Sequence, residues 1–72
     1  MVTVVPKSLL AATDYLAPQD AAKLAAAYEF AEEMHRGMLR RSGEPFITHP
    51  VAVTEILAEM RLDISALMAG LL

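Results

Sequence analysis

The sequence predicts an all-α fold, a small bundle of about four helices, and three observations carry that prediction. Apolar residues recur at three- and four-residue intervals in four successive stretches. The longest of them is rich in Ala, Glu and Lys, which lose little side-chain freedom on becoming helical. Repeats, low-complexity tracts, linkers and glycine-rich phosphate loops are missing, so the 72 residues read as one continuous unit. A chain of this length buries one small core and forms at most one domain.

Helical spacing of Leu9, Ala12, Tyr15 and Leu16 predicts a first helix over 8–16. Pro18 then restarts the chain, because the first turn of a helix has no use for the N–H that proline lacks. A second helix follows over 19–36, with Leu24, Ala27, Tyr28, Ala31 and His35 on one face and Glu29, Glu32 and Glu33 on the other. Gly37 ends it. Residues 37–49 form a structured loop, and a third helix over 50–60 starts with Pro50 in its first turn and Thr48 or His49 as its cap. Its inward stripe reads Val53, Ile56, Leu57 and Met60, with Glu55 and Glu59 outside. Asp63 caps a fourth helix over 64–72 that carries Ile64, Leu67, Met68 and Leu71. The methionines mostly fall on these core stripes, as adaptable filler.

Composition narrows the function. An apolar content of 56% is high for so short a chain and predicts a surface that expects a partner, including self-association through an exposed apolar face of the last helix. A net charge of −3 gives no positive field to gather phosphate backbones, which argues against nucleic-acid binding. A DNA-reading helix-turn-helix is also disfavoured, because Arg36, Arg40 and Arg41 lie in or beside a loop and not along a helix face. Without cysteine there is neither a disulfide framework nor a thiolate metal site, in keeping with the cytoplasm. Met1–Lys7 lacks the pattern of a secretion signal, and the longest apolar run, Ala66–Leu72, falls far short of the roughly 20 residues of a membrane span.

Two features lie outside core packing. Arg40, Arg41 and Ser42, followed by the turn-forming Gly43 and Pro45, fit either a ligand loop or a solvated basic turn balanced by Glu32, Glu33 and Glu44. A guanidinium can stack on a nucleobase and donate to phosphate oxygens, while Gly43 allows close backbone approach. His49 stands four and seven residues before Val53 and Ile56, which predicts an inward imidazole partnered by a metal ion or by an ordinary hydrogen bond. His35 reads as a structural histidine that buttresses the loop. The serines have no adjacent base, and no paired acids share an apolar face, so no catalytic residue is predicted within the chain.

The run from His35 to Pro50, His-Arg-Gly-Met-Leu-Arg-Arg-Ser-Gly-Glu-Pro-Phe-Ile-Thr-His-Pro, resembles the first signature of the hydrolase domain of Rel/Spo homologues, including the bifunctional (p)ppGpp synthetase/hydrolases. The resemblance covers about Ala25 to Leu72. It implies an HD-type fold, of which residues 1–72 form the N-terminal portion, and release of pyrophosphate from the 3′ position of (p)ppGpp. His49 matches the first ligand of a Mn²⁺ ion, Arg40 the arginine that packs on guanine, and Arg41 and Ser42 its nucleotide-holding neighbours. Gly43 and Pro45 would shape the turn. Met38 and Phe46 depart from the glutamine and tyrosine usual in the family. The family's His-Asp pair would follow Leu72, and helix four shows no terminal cap. The resemblance therefore implies a unit that continues past Leu72, retains no manganese alone and is inactive by itself, since a single histidine cannot hold a catalytic metal. The competing expectation is a helical interaction or dimerisation module without catalysis.

Overall fold

The computed structural model describes residues 4–72, so Met1–Thr3, part of the stretch read for a secretion signal, lie outside it. Among the described residues there are four helices: α1 (Lys7–Ala12), α2 (Pro18–His35), α3 (Thr48–Glu59) and α4 (Ile64–Leu71). The all-α expectation holds. None of these helices is long and apolar enough to cross a membrane.

Helix α4 organises the packing. It lies against both α2 and α3, while α1 lies against α3. Leu67 and Leu71 are almost fully enclosed, at 0% and 1% exposure, and Ile64 and Met68 pack against the same core. An exposed apolar face on this helix is therefore not found. The exposed large apolar residues are scattered: Leu10 on α1, Phe30 and Met34 on α2, Met38 and Leu39 in the loop after it, Ile56 on α3, and Val4, Met60 and Leu72 outside the helices. Asp63 caps α4 as its sequence position predicts, accepting a bond from the Ala66 N–H at 3.4 Å.

Helix α2 begins at Pro18 and buries Leu24, Ala27, Tyr28 and Ala31, the face that periodicity selects. Helix α1 is shorter than its apolar pattern predicts. It stops at Ala12 because Thr13 leaves helical geometry at φ −107° and turns its hydroxyl back onto the Leu9 carbonyl, 2.8 Å away. Tyr15 consequently sits in the connection to α2, where its hydroxyl donates to the Leu62 carbonyl at 2.6 Å. Its ring also lies 5.3 Å from the Arg61 guanidinium carbon. A second tie links the same regions of the fold, from the Ser8 hydroxyl to the Glu55 carboxylate at 2.6 Å, so Glu55 is not simply solvated.

The inward face of α3 differs from the stripe read in the sequence. Val51, Thr54 and Ala58 are buried, whereas Ile56 is 59% exposed and Val53 and Leu57 are half-buried. The reason is the closeness of α4. A Cβ on Gly70 would lie 2.8 Å from Thr54 Oγ1 and 3.0 Å from Leu57 Cδ1, so the helices meet at Gly70 with no room for a side chain there. The methionines also depart from the core stripes expected of most of them, with Met34, Met38 and Met60 exposed and Met68 packed on the core.

Candidate functional site

Residues 38–46 fold into a miniature hairpin. The Arg40 N–H donates to the Glu44 carbonyl at 2.8 Å, the Gly43 N–H to the Arg40 carbonyl at 2.8 Å, and the Phe46 N–H to the Met38 carbonyl at 2.9 Å. Leu39 and Pro45 pair across its base as an isolated antiparallel bridge. Gly43, at φ +90°, occupies the left-handed position that closes a three-residue hairpin loop, a conformation costly for a residue with a side chain. Pro45 has no N–H for the ladder, and its carbonyl is used outward, accepting from the Thr48 N–H at 3.1 Å and the Thr48 hydroxyl at 2.8 Å. Gly43 and Pro45 thus shape the loop and fasten it to α3.

That fastening moves the start of α3. Winding begins with the bonds from Thr48 to Pro45 and from His49 to Phe46, so the helix starts at Thr48, two residues before the predicted position. Ile47 is the N-cap residue and makes no side-chain cap bond. Thr48 and His49 are therefore helical residues, not caps, and the loop ends before them. Pro50 remains in the first turn, where its missing N–H has no partner to lose.

Arg40, Arg41 and Ser42 all lie at the tip of this hairpin and are exposed. Together with Leu39, Glu44 and Phe46 they line an open cleft of about 700 Å³. Among the described residues the ion pair is Arg36–Glu32, at 2.7 Å along α2. Neither Arg40 nor Arg41 forms such an ion pair among the described residues. The bonds from Arg36 hold the Glu32 carboxyl below its ordinary pKa, while the Arg36 guanidinium is pushed up by the same bonds.

His49 is exposed, which corrects the inward orientation predicted for it. It shares the register of Val53 and Ile56, and that register faces the open flank of α3. The ring nevertheless lines a depression of about 310 Å³ together with His35, Phe46, Val53 and the last turn of α4. His35 stacks on Phe46 with ring centroids 4.5 Å apart and planes inclined by 33°, the buttressing role predicted for it. Its Nδ1 is buried without a hydrogen-bond partner among the described residues. Phe46 borders both the arginine cleft and the His49 depression.

Among the described residues no group of three or more His, Cys, Asp or Glu side chains could hold a metal ion. His49 supplies one ligand at most, whereas catalytic metal sites normally use about three from the protein. The residues present do not fit a complete metal centre.

The model of the HD domain family matches residues 27–72, a range that contains the hairpin, His49 and all of α4. The chain belongs to the HD domain family. Within it, this HD-domain chain is homologous to Rel/Spo enzymes. It is 63% identical over 46 residues to a GTP pyrophosphokinase of Streptomyces antibioticus, a match covering 64% of this chain and 6% of that protein. Identity with the bifunctional (p)ppGpp synthase/hydrolase SpoT of Escherichia coli K12 is 55% over 58 residues, 81% of this chain and 8% of the relative. For the bifunctional (p)ppGpp synthase/hydrolase RelA of Mycobacterium tuberculosis it is 51% over 53 residues, 74% and 7% respectively. The chain thus spans less than a tenth of the length of the curated relatives it matches. Hydrolases with HD domains commonly bind divalent metals.

Proposed function

We propose that residues 1–72 are the N-terminal portion of an HD-type hydrolase domain that removes pyrophosphate from the 3′ position of (p)ppGpp. The observation that carries this reading is the hairpin cleft, where two guanidinium groups without carboxylate partners face an open space beside an aromatic ring. Arg40 would stack on the guanine, and Arg41 and Ser42 would donate to the nucleotide's oxygens. Rigid backbone bonds at Gly43 and Pro45 keep those groups in place before a ligand arrives. His49 is the residue we assign to the metal, taken to be Mn²⁺ in the complete domain, where the ion would supply an activated water. This chain alone offers too few ligands to retain it and is expected to be inactive. The lack of cysteine supports a reducing, cytoplasmic setting.

Calorimetric titration of the chain with ppGpp tests the binding half of this reading. The wild-type chain should bind, and Arg40→Ala should weaken binding while leaving the helical circular dichroism unchanged. Equal heats for the two proteins would remove the basis of the assignment. Pyrophosphate release from ppGpp in proportion to the concentration of this chain would contradict its inactivity.

A second reading, self-association, is favoured by a different surface. Phe30 and Met34 on α2 are 57% and 62% exposed and border an apolar groove with Leu71 and Leu72. Sedimentation velocity over a hundredfold concentration range tests it, and a constant monomer mass would reject it.

A further inference from the structure

The arginine cleft and the His49 depression are separate hollows, and Phe46 lines both of them. Its backbone N–H donates to the Met38 carbonyl at 2.9 Å, closing the base of the hairpin. Its tilt is set from α2 by His35, 4.5 Å away. Because the buried Nδ1 of His35 has no hydrogen-bond partner among the described residues, the imidazole is held by ring packing and not by a polar bond.

Resting on the nucleotide reading above, we propose that Phe46 is a positioning residue, held by His35, over which a nucleotide carrying a 3′-diphosphate is laid. The base occupies the arginine cleft and the 3′-diphosphate reaches the depression beside His49. His35, which also lines that depression, acts by holding the Phe46 ring.

Solution NMR of this chain tests the proposal, with guanosine 5′-diphosphate 3′-diphosphate and GDP as the probes. In the wild-type chain, the tetraphosphate should shift the backbone amides of residues 40–42 and the His49 ring signals along one binding curve. GDP should shift the loop amides alone. His35→Ala and Phe46→Leu should each weaken tetraphosphate binding roughly two- to tenfold, the range of a lost aromatic pair. Both should also abolish the His49 response while the loop amides still move. His35→Phe, which keeps a stacked ring and removes the nitrogens, should restore the wild-type pattern.

A His49 response that survives His35→Ala and Phe46→Leu overturns the positioning role. So does a His49 response to GDP as large as that to the tetraphosphate, or a failure of His35→Phe to rescue. If residues 40–42 respond and His49 stays still in the wild type, the partition falls and nucleotide binding stands. If neither region responds to either probe, the nucleotide reading falls, and this inference with it. Should His35→Ala unfold, Phe46→Leu and His35→Phe still decide the matter.

Discussion

Gly70 on α4 faces Thr54 on α3 so closely that a Cβ would lie 2.8 Å from the threonine Oγ1. Thr54 is fully buried, and its hydroxyl is bonded to the Pro50 carbonyl at 2.8 Å, so it cannot swing away without losing that bond. Gly70→Ala should therefore destabilise the chain by about 1–3 kcal/mol, the usual cost of overpacking a tight contact. The better helix propensity of alanine offsets only part of this. Urea denaturation checks it, and Gly70→Ala combined with Thr54→Ala should lose less stability than the two single changes summed. Strict additivity would mean that the two residues do not contact one another.

Removing the Tyr15 hydroxyl isolates one tie between distant parts of the chain. Tyr15→Phe keeps the ring and its place beside Arg61 but loses the 2.6 Å bond to the Leu62 carbonyl. The expected cost is about 0.5–1.5 kcal/mol, read as a lower urea midpoint with an unchanged slope. An unchanged midpoint would mean that water replaces the phenol without loss.

Arg40 and Arg41 test affinity without testing the fold. Both are exposed, so alanine at either position should change stability by less than about 0.5 kcal/mol. Nucleotide affinity should fall roughly tenfold or more, the worth of a hydrogen bond to a charged group. Arg40→Lys should not recover it, because an ammonium group lacks the planar face that stacks on a purine. Full recovery by lysine would reduce the role of Arg40 to charge alone.

Acid and alkali should act through different residues. The hydrogen bonds from Arg36 lower the Glu32 pKa in the folded chain, so the unfolded chain takes up the proton first. The stabilisation is complete above the ordinary glutamate value of 4.5 and disappears as pH falls through the lower folded value. The stability difference between wild type and Glu32→Gln should be small at neutral pH, sensitive to salt, and gone in strong acid. Tyr28 has the opposite sign, since burial, with the Glu32 charge adding, raises its phenol above 10.0. Its contribution is intact below that value and is lost as pH rises through the folded one. Tyr28→Phe should thus flatten the alkaline limb of a stability–pH curve, and an unaltered limb would rule the phenol out as its source.

Much of the fold was legible in the sequence, and the exceptions share a cause. Pro18, the Asp63 cap and the faces of α2 and α4 could be read because propensity, capping and apolar spacing agree there. On α3 they disagree. Counting hydrophobicity favours Ile56 and Met60, but the residues buried are Ala58 and Thr54, which meets Gly70, and backbone proximity leaves no mark in a hydropathy pattern. The inward reading of His49 failed for the same reason, because it was registered to the wrong stripe. Loop residues 40–45 stood out as unusual through their arginines, glycine and proline. Their hairpin was missed, although Ser42-Gly43 carries the glycine that such a turn demands. The two-sided role of Phe46 had no local signal, since it depends on His35 arriving from another helix.

The ties from Ser8 to Glu55 and from Tyr15 to Leu62 each join residues 47 positions apart. Helix α1 has only six residues, too few to persist unaided, so its amides should gain protection from hydrogen exchange only once the rest of the molecule has assembled. Detaching it uncovers Leu9, which the native molecule hides completely. Amides of α1 are therefore expected to exchange through an opening less costly than global unfolding, one that presents a sticky leucine and gives a protease its first foothold.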